Sequence, residues 1–307
     1  MATTDRAPTI RTVDLTKRFG ARRGIEDVTL EVGEGEVFGF LGPNGAGKST
    51  MIRVLMGLYR PHSGSARIWG RDAFDAGAEL RRDIGYLPGE LALFPRLTGR
   101  ETLERLGSVR GLTSTSLRDE LIERLGAEVD QPVRTLSKGN RQKLGLVQAF
   151  MHRPRLLVLD EPTSGLDPLL QEEFSRLVHD VAADGVTVFL SSHDLDEVQR
   201  LVSSLAIIRG GRIVAVDTVE KLLRNAPRVV ELHFAGPPPT SFEDLPGVTV
   251  TERGRRHVTL AVTAQMCAVL RAAVDGEVTD ITARPVSLEE LFLRFYDLES
   301  GESAHAH

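Results

Sequence analysis

The chain has 307 residues, a length that accommodates one large domain with a small one, or two domains of medium size. Hydrophobic residues make up 41% and charged residues 26%, as in ordinary soluble proteins, and the net charge of −5 excludes a global basic field that attracts nucleic acid. The single cysteine, Cys267, excludes an internal disulfide framework and a thiolate metal cluster, and fits a reducing compartment.

Apolar runs in this sequence have the length of strands, and none approaches the roughly 20 residues that a membrane-spanning helix requires. The N-terminal sequence, MATTDRAPTI, also lacks the apolar core of a secretory signal. The sequence therefore predicts a soluble, cytoplasmic chain. Such a chain would serve a membrane process only through a partner that spans the bilayer.

The first part of the chain alternates strand patterns with helix patterns. Short apolar runs predict strands at residues 10–15, 28–32, 37–41, 156–159, 186–191, 205–208 and 212–216. Apolar residues at helical spacing predict helices at residues 49–58, 100–106, 116–125, 138–150 and 168–183. This alternation predicts a largely parallel sheet covered on both faces, in an α/β fold. Residues from about 73 to 150 are predicted to form a helical insertion, and residues 17–23 a basic turn.

A domain boundary is predicted near residues 225–228. It gives a first domain at 1–225, a second at 226–299 and a disordered tail at 300–307. In the second domain, the patterns predict strands at 229–234, 248–252, 257–262 and 278–283, and helices at 265–273 and 288–296. A Pro-rich loop at 236–239 replaces a first crossover helix, so the order predicts a small α+β domain of ferredoxin-like type.

A Gly-rich segment, GPNGAGKST, matches the phosphate-loop pattern G-x-x-x-x-G-K-[ST] between a predicted strand and a predicted helix. Glycines let backbone N–H groups turn toward phosphates, and the following helix adds the positive end of its dipole. Lys48 is predicted to bind the β- and γ-phosphates, and Ser49 to offer its hydroxyl to Mg²⁺. The predicted nucleotide-binding residues are Gly42, Pro43, Asn44, Gly45, Ala46, Gly47, Lys48, Ser49 and Thr50.

Two carboxylates, Asp160 and Glu161, follow the apolar strand at 156–159. In α/β folds the carboxyl end of a strand faces the ligand crevice. Asp160 is therefore predicted to hold Mg²⁺ through water. Glu161 is predicted to act as the general base on the attacking water, an effect typically worth ~10²–10⁴-fold.

A third motif, LSKGNRQ, occupies residues 136–142 at the start of a predicted helix. Ser137 and Gly139 lie where unpaired N–H groups and the positive end of the helix dipole can bind a phosphate. Taken alone, Ser137 fits a plain helix N-cap equally well.

Together these three motifs resemble those of ABC (ATP-binding cassette) ATPases, over about residues 9–219. The resemblance implies a P-loop NTPase cassette with a helical subdomain, and ATP with Mg²⁺ as its ligands. It implies that the signature residues Ser137 and Gly139 contact the γ-phosphate of an ATP held by the phosphate loop of a second copy, and that Asn140 is a further nucleotide-binding residue. The chain is therefore expected to act as a homodimer.

The resemblance assigns three further residues. Asp167 corresponds to the loop that crosses the dimer interface, and Phe19 corresponds to the aromatic residue that stacks on adenine. His193 corresponds to the histidine that bonds the γ-phosphate and holds the attacking water. It is thus a second catalytic candidate beside Glu161.

One position departs from the family pattern. After IGYLP at residues 84–88 the family has Gln, or sometimes Glu, which contacts Mg²⁺ and senses the permease, but this chain has Gly89 followed by Glu90. Either Glu90 takes over as a metal ligand with a shifted backbone, or the glutamine's role is absent.

The variant signature, the IGYLP loop and the segment PVSLEELFLRFY at 285–296 resemble the bacterial exporter branch for drugs and antibiotics. That branch implies an ATPase that powers export of a drug, antibiotic or other hydrophobic compound through a separate integral-membrane permease. The permease would dock on residues 73–131, at the cytoplasmic face of the membrane, and the second domain would serve dimer contact or regulation.

Two alternatives stay open. One is an importer ATPase with a C-terminal regulatory domain, although the second domain here is short and lacks duplicated small barrels. The other is a non-transport ABC ATPase of the ribosome or of DNA repair. A single cassette, the absence of a heptad array and the acidic net charge disfavour it, so no nucleic-acid partner is expected.

Overall fold

The fold is that of a computed structural model, which describes residues 7–20, 22–263, 266–286 and 290. Apart from Glu290, the predicted helix at 288–296 lies outside the described residues, as does the predicted tail at 300–307. The strands are β1 (Ile10–Phe19), β2 (Arg22–Val32), β3 (Val37–Leu41), β4 (Ser63–Ile68), β5 (Arg71–Asp72), β6 (Ile84–Leu87), β7 (Leu156–Asp160), β8 (Thr187–Ser192), β9 (Ser204–Arg209), β10 (Arg212–Thr218), β11 (Arg228–Phe234), β12 (Val248–Arg253), β13 (His257–Val262) and β14 (Val278–Pro285). The helices are α1 (Lys48–Leu55), α2 (Gly77–Leu80), α3 (Gly99–Val109), α4 (Ser116–Arg124), α5 (Lys138–Phe150), α6 (Pro168–Ala183), α7 (Leu195–Leu201), α8 (Val219–Asn225) and α9 (Met266–Asp275).

The chain divides into two compact units, Met1–Asp217 and Thr218–His307. The division falls before α8, whereas the sequence predicts a boundary after Asn225. Thr218 caps α8 by accepting a hydrogen bond from the Lys221 backbone N–H at 3.2 Å, so the second unit begins with a helix.

The first unit is built on a six-stranded sheet with the order β10-β9-β3-β8-β7-β6. The strand pairs β9–β3, β3–β8, β8–β7 and β7–β6 are all parallel. Every residue of β3, β7 and β8 is buried. This confirms the predicted parallel α/β sheet. Phe38 and Phe40 of β3 pack against Phe189 of β8, with ring centroids 5.9 and 5.6 Å apart. Burying each ring contributes about 1.5–3 kcal/mol.

The register of this sheet aligns the carboxyl ends of three strands. Leu41, the last residue of β3, lies beside Ser192 of β8, and Asp160, the last residue of β7, lies beside Ser191. The segments that follow these strands therefore leave the sheet at one edge. Those segments carry the motifs that the sequence analysis singled out.

A second sheet in the first unit has the order β2-β1-β4-β5. The predicted basic turn at 17–23 is wrong in detail, because Lys17 and Arg18 continue β1 and pair with Ile25 and Arg23 of β2. The turn itself is shorter and contains Gly20 with φ of 58°. The longer β1 carries Phe19 at its end. β4 was not predicted, because its sequence SGSARI has few large apolar residues.

The helical insertion also contains a strand. Residues 84–87, inside the stretch predicted as helical, form β6, the edge strand of the six-stranded sheet. The helices α3, α4 and α5 follow it. α3 begins with a capping box, in which the Thr98 side chain accepts from the Glu101 N–H and the Glu101 carboxylate accepts from the Thr98 N–H. Among the described residues, no helix combines the length and apolar character needed to cross a bilayer.

The second unit is an antiparallel sheet with the order β12-β13-β11-β14. One face packs on α9 and on the 3₁₀ turn Thr240–Asp244, around a core that includes Phe242. Helix α9 stands between β13 and β14, and the 3₁₀ turn between β11 and β12 is shorter than a crossover helix. This is a split β-α-β arrangement with its first helix reduced to a turn. Cys267 is exposed on α9.

A histidine next to β6 is held in its neutral form. His152 follows α5, and its Nε2–H donates to the Ile84 carbonyl oxygen at 3.2 Å, while Nδ1 has no partner among the described residues. Burial, together with the nearby charge of Arg110, lowers the pKa of His152 from the usual 6.5 to about 4.

We predict that His152 makes folding depend on pH. Between about pH 6.5 and pH 4 the unfolded chain binds a proton at this residue and the folded chain does not, so lowering the pH favours unfolding. We expect the free energy of unfolding to fall from pH 7 to pH 5, and to fall less in a His152→Gln variant. Urea unfolding followed by the fluorescence of Trp69, the single tryptophan, measures this at both pH values. His179→Gln, at an exposed position on α6, is the control, and equal pH dependence in His152→Gln and the parent would contradict the prediction.

Candidate functional site

The predicted phosphate loop borders a cavity of about 490 Å³. Gly47 precedes α1 with φ of 117°, and a Cβ there would lie 2.5 Å from the Gly24 carbonyl oxygen. A Cβ on Gly42 would lie 2.4 Å from the Ile208 carbonyl oxygen. Both positions therefore require glycine, and the loop delivers the N-terminus of α1 to the cavity. Of the predicted loop residues, Gly42 and Ala46 are buried within the loop, and the cavity is lined by Pro43, Asn44, Gly45, Gly47, Lys48, Ser49 and Thr50.

Lys48 lines this cavity beside the phosphate loop, although its side chain is only 6% exposed. Its Nζ donates to the carbonyl oxygens of Gly42 at 2.6 Å and Pro43 at 3.3 Å, and lies 3.1 Å from Glu161 Oε1. Oε1 has no hydrogen-bond partner among the described residues, so the contact with Lys48 is an ion pair without hydrogen-bond geometry. The pairing offsets the cost of holding an ammonium away from water.

Glu161 also contacts the predicted catalytic histidine. His193 Nδ1 lies 2.6 Å from Glu161 Oε2. Because a carboxylate only accepts, Nδ1 carries the hydrogen and donates. The Glu161 carboxylate is thus held between Lys48 and His193, one oxygen to each. The structure brings together two residues that are 32 positions apart in the sequence.

Asp160, the last residue of β7, precedes Glu161 and is 3% exposed. Its Oδ1 accepts a hydrogen bond from the Ser191 hydroxyl at 2.5 Å. Its Oδ2 faces Gly89, where a Cβ would lie 3.1 Å away. Burial, and then the charge of Asp160, raise the pKa of the Tyr86 phenol. Of the two residues that follow IGYLP, Gly89 is the one that lies against Asp160, and Glu90 is exposed at the next position.

The LSKGNRQ segment lies at the start of α5, and no described residue of α5 lines the cavity. Ser137 is the N-cap, and its Oγ accepts from the Asn140 N–H at 3.1 Å. This uses a lone pair and leaves the hydroxyl hydrogen available to donate. Ser137 is exposed, so a ligand from outside this chain can reach it.

Asn140 has a different place from the one expected of a nucleotide contact. It is 6% exposed, and both ends of its amide bond the backbone of Glu128. The Glu128 N–H donates to Oδ1 at 2.8 Å, and Nδ2 donates to the Glu128 carbonyl oxygen at 2.7 Å. The side chain therefore ties α5 to the loop after α4 and is buried, whereas Ser137 is exposed.

The loop before α6 packs on the start of α5. Lys138 Nζ donates to Ser164 Oγ at 3.2 Å, and a Cβ on Gly139 would lie 2.9 Å from the Gly165 carbonyl oxygen. Asp167 caps α6 by accepting from the Leu170 N–H at 3.0 Å. Asp167 is exposed, which keeps its other carboxylate oxygen accessible.

Comparison with known proteins identifies the family. The ABC transporter family model matches residues 25–164. The chain is 36% identical to the daunorubicin resistance ATP-binding protein DrrA3 of Streptomyces coeruleorubidus, over 94% of this chain and 96% of the relative. It is 37% identical to the bacitracin transport ATP-binding protein BcrA of Bacillus licheniformis, over 74% of this chain and 75% of the relative. The chain belongs to the ABC transporter family.

Solved structures agree with an ABC ATP-binding cassette. The ATP-binding subunit of an ABC transporter matches with a TM-score of 0.65 at 32% identity, over 70% of this chain and 92% of that one. The dimeric bacterial ABC transporter cassette MJ0796 matches with a TM-score of 0.62 at 25% identity, over 68% of this chain and 98% of that one. The fold predicted for the first unit is thereby confirmed as that of an ABC ATP-binding cassette.

Two aromatic residues, Phe19 and Tyr59, line the phosphate-loop cavity. Phe19 is 42% exposed and contacts Tyr59 edge to face, with centroids 5.3 Å apart and an interplanar angle of 70°. Lys17 Nζ lies 5.6 Å from the Phe19 ring centre. Phe19 is thus a cavity residue and not a core residue. Tyr59 and Arg53 also line the cavity, but sequence reasoning missed them because they lie beyond the phosphate-loop motif and only the fold returns them to it.

We predict that Phe19→Ala weakens ATP binding by removing the surface on which adenine stacks. Base–aromatic stacking is worth about 1–3 kcal/mol, so the dissociation constant for ATP should rise roughly 5- to 150-fold. Equilibrium dialysis with ATP measures this. Inorganic tripolyphosphate, which has no base, should bind the variant and the parent alike. Phe74→Ala removes another part-exposed ring, outside the cavity, and serves as the control. Unchanged ATP affinity in Phe19→Ala would show that adenine does not stack there.

Proposed function

We propose that two copies of this ABC ATPase enclose two ATP molecules, hydrolyse them, and thereby power export of a drug, antibiotic or other hydrophobic compound through a separate membrane permease. One observation carries the dimeric part of this proposal. Ser137 is exposed at the start of α5, and the described residues of α5 do not line the ATP cavity of their own chain. A γ-phosphate contact from Ser137 and Gly139 therefore requires ATP bound to another copy. The dimeric form of the related cassette MJ0796 supports this arrangement.

In the proposed site, the phosphate loop binds the triphosphate through backbone N–H groups and the start of α1. Lys48 supplies the positive charge. Its Nζ already contacts two loop carbonyls and the Glu161 carboxylate, so it is held at the cavity wall before ATP arrives. This fixed charge stabilises the negative charge that develops on the transferred phosphoryl group.

Glu161 is the proposed general base. The Glu161 carboxylate is proposed to accept a proton from the attacking water; its Oε1 is buried, accepts no hydrogen bond from the described residues and lies 3.1 Å from Lys48 Nζ. His193 fixes the carboxylate by donating to Oε2, and it is proposed to hold the attacking water against the γ-phosphate. Its side chain is 58% exposed, so its ring can turn toward a bound nucleotide without disturbing the core.

The residues present fit Mg²⁺, which prefers oxygen ligands and usually keeps several waters. Ser49 lines the cavity, and Asp160, at the carboxyl end of β7, accepts from Ser191 through Oδ1 and directs Oδ2 toward Gly89. Among the described residues, no three His, Cys, Asp or Glu side chains form a metal cage, which suits an ion held largely by nucleotide phosphates and water. Ser49 and Asp160 would hold the ion, with Glu90 as a third candidate. When bound, Mg²⁺ neutralises charge on the phosphoryl group.

Export is favoured over import by the similar proteins, one a bacitracin transport protein and one a daunorubicin resistance protein. DrrA3 matches across both units of this chain, so the likeness extends past the cassette. The permease is proposed to dock on the helical insertion at the cytoplasmic face of the membrane. Co-expression with a candidate permease, a protein with several membrane spans, tests the direction of transport. Cells should accumulate less of an amphipathic dye than cells carrying an inactive Lys48→Ala chain, and greater accumulation would indicate import.

We predict that Glu161→Gln binds ATP but does not hydrolyse it, because the amide cannot accept a proton from water. The general base contributes about 10²–10⁴-fold, and steady-state ATPase activity should fall by that factor. Gel filtration with ATP and Mg²⁺ should show a dimer that the parent protein forms only transiently. Turnover close to that of the parent would rule out Glu161 as the base, and a monomer in ATP would rule out the proposed dimer.

We predict that Glu90→Ala raises the Mg²⁺ concentration required for half-maximal ATPase activity, if the exposed Glu90 side chain reaches the metal past Gly89. The measurement is ATPase rate against free Mg²⁺ at saturating ATP. Glu120→Ala, at an exposed position on α4, is the charge-matched control. Identical Mg²⁺ curves for Glu90→Ala and the control would leave the metal to Ser49 and Asp160.

A further inference from the structure

The backbone of Glu161 has an unusual conformation. Its φ of 51° lies in the left-handed region, which residues other than glycine seldom occupy. Such a conformation persists only where neighbouring groups hold it. On its N-terminal side, the Glu161 N–H donates to the Ser191 carbonyl oxygen at 3.1 Å and lies 3.2 Å from Ser191 Oγ. This anchor belongs to β8 of the same sheet.

The anchor on the C-terminal side comes from a different element. Gln142 of α5 is 7% exposed, and its Nε2 donates to the Pro162 carbonyl oxygen at 2.8 Å and to the Glu161 carbonyl oxygen at 3.3 Å. A buried amide donor costs free energy unless it is paired, and here it is paired with the two peptide groups that follow the carboxylate-bearing residue. The peptide that carries Glu161 is thus fixed from both sides.

We infer that Gln142 is a positioning residue for ATP hydrolysis, holding the Glu161 peptide so that its carboxylate stays between Lys48 and His193. The inference rests on the proposed role of Glu161 as general base. It also joins two parts of the proposed mechanism, because Gln142 lies on the helix whose N-cap is Ser137. Lys138 and Gly139 contact the loop at Ser164 and Gly165, so the start of α5 touches this segment at several points.

A purely structural role for Gln142 predicts a different result from a positioning role. If the amide only fills buried space, its loss lowers folding stability and affects every property of the ATP site alike. If it positions Glu161, its loss lowers kcat and spares ATP binding, because Gln142 is not among the described residues that line the phosphate-loop cavity. Gln148 provides the matched control, since it lies on the same helix and its Nε2 donates to the Tyr86 carbonyl oxygen at 3.2 Å.

The test is Gln142→Met beside Gln148→Met, since Met has nearly the same length as Gln but donates no hydrogen bond. We expect kcat of Gln142→Met to fall by about 10- to 100-fold, as for other small displacements of catalytic groups, with ATP affinity and KM close to the parent's. The variant should accumulate an ATP-bound dimer, as Glu161→Gln does. Gln148→Met should keep the parent's kcat.

Parental kcat in Gln142→Met overturns the inference, and so does a fall in kcat matched by an equal loss of ATP affinity. If the Met variant does not fold, Gln142→Asn replaces it, because the shorter side chain withdraws the donor, and parental kcat there is equally decisive. Failure of the proposed function is visible separately. In that case Glu161→Gln would neither stop hydrolysis nor form a dimer, whatever Gln142 does.

Mixed dimers test whether Gln142 acts on Glu161 of its own chain. In one mixture a copy carries both Gln142→Met and Glu161→Gln while its partner is unchanged, which leaves one site with both residues intact. In the other, each copy carries one substitution, and each site lacks one residue. Single-turnover hydrolysis should be faster in the first mixture. Equal rates in the two would overturn the inference.

Discussion

The register of three parallel strands is the constraint on which the rest of the molecule depends. β3, β8 and β7 lie side by side, so that Leu41 faces Ser192 and Ser191 faces Asp160. Because successive side chains point to opposite faces and every residue of these strands is buried, a slip of one position would move each side chain to the other face, against different neighbours. The packing of Phe189 against two rings of β3 opposes such a slip. Hydrophobic burial in the sheet therefore sets the positions of the charged groups at its edge.

Two of those charged groups, Lys48 and Glu161, have opposite charges and form an ion pair. Lys48 and Glu161 are mostly buried, and each would be costly alone, so their pairing is a condition for keeping both at the cavity wall. The same ammonium is the proposed partner of the nucleotide phosphates. A bound triphosphate and the Glu161 carboxylate would then share the positive charge of Lys48. In a cavity of low exposure this attraction is stronger than it would be in water.

The features that could be predicted from the sequence are those that a short stretch of residues determines by itself. Continuous apolar strands, the glycine spacing at 42–50 and the carboxylates after β7 each follow from short-range chemistry, and the structure brings Lys48, Glu161 and His193 together at one edge. Other features depend on distant contacts. Tyr59 reaches the cavity only through the fold, and β6 is a strand because it pairs with β7, although its surroundings are helical. Asn140 turns inward because Glu128 offers it both a donor and an acceptor, which no motif encodes.

The phosphate loop and the start of α5 both belong to the first unit, but no described residue of α5 lines the phosphate-loop cavity. Within the first unit, Asn140 and Gln142 fix α5 to its surroundings, so Ser137 cannot swing into the cavity of its own chain without breaking buried hydrogen bonds. Each copy then carries one phosphate loop and one exposed signature segment. In a two-fold symmetric dimer, each phosphate loop faces the signature segment of the other copy, so that all four segments are used. A head-to-tail arrangement that does not close leaves one phosphate loop and one signature segment unused at its ends. The hydrogen bonds that fix α5 beside Glu161 therefore favour the symmetric dimer as the active unit of the proposed ATPase.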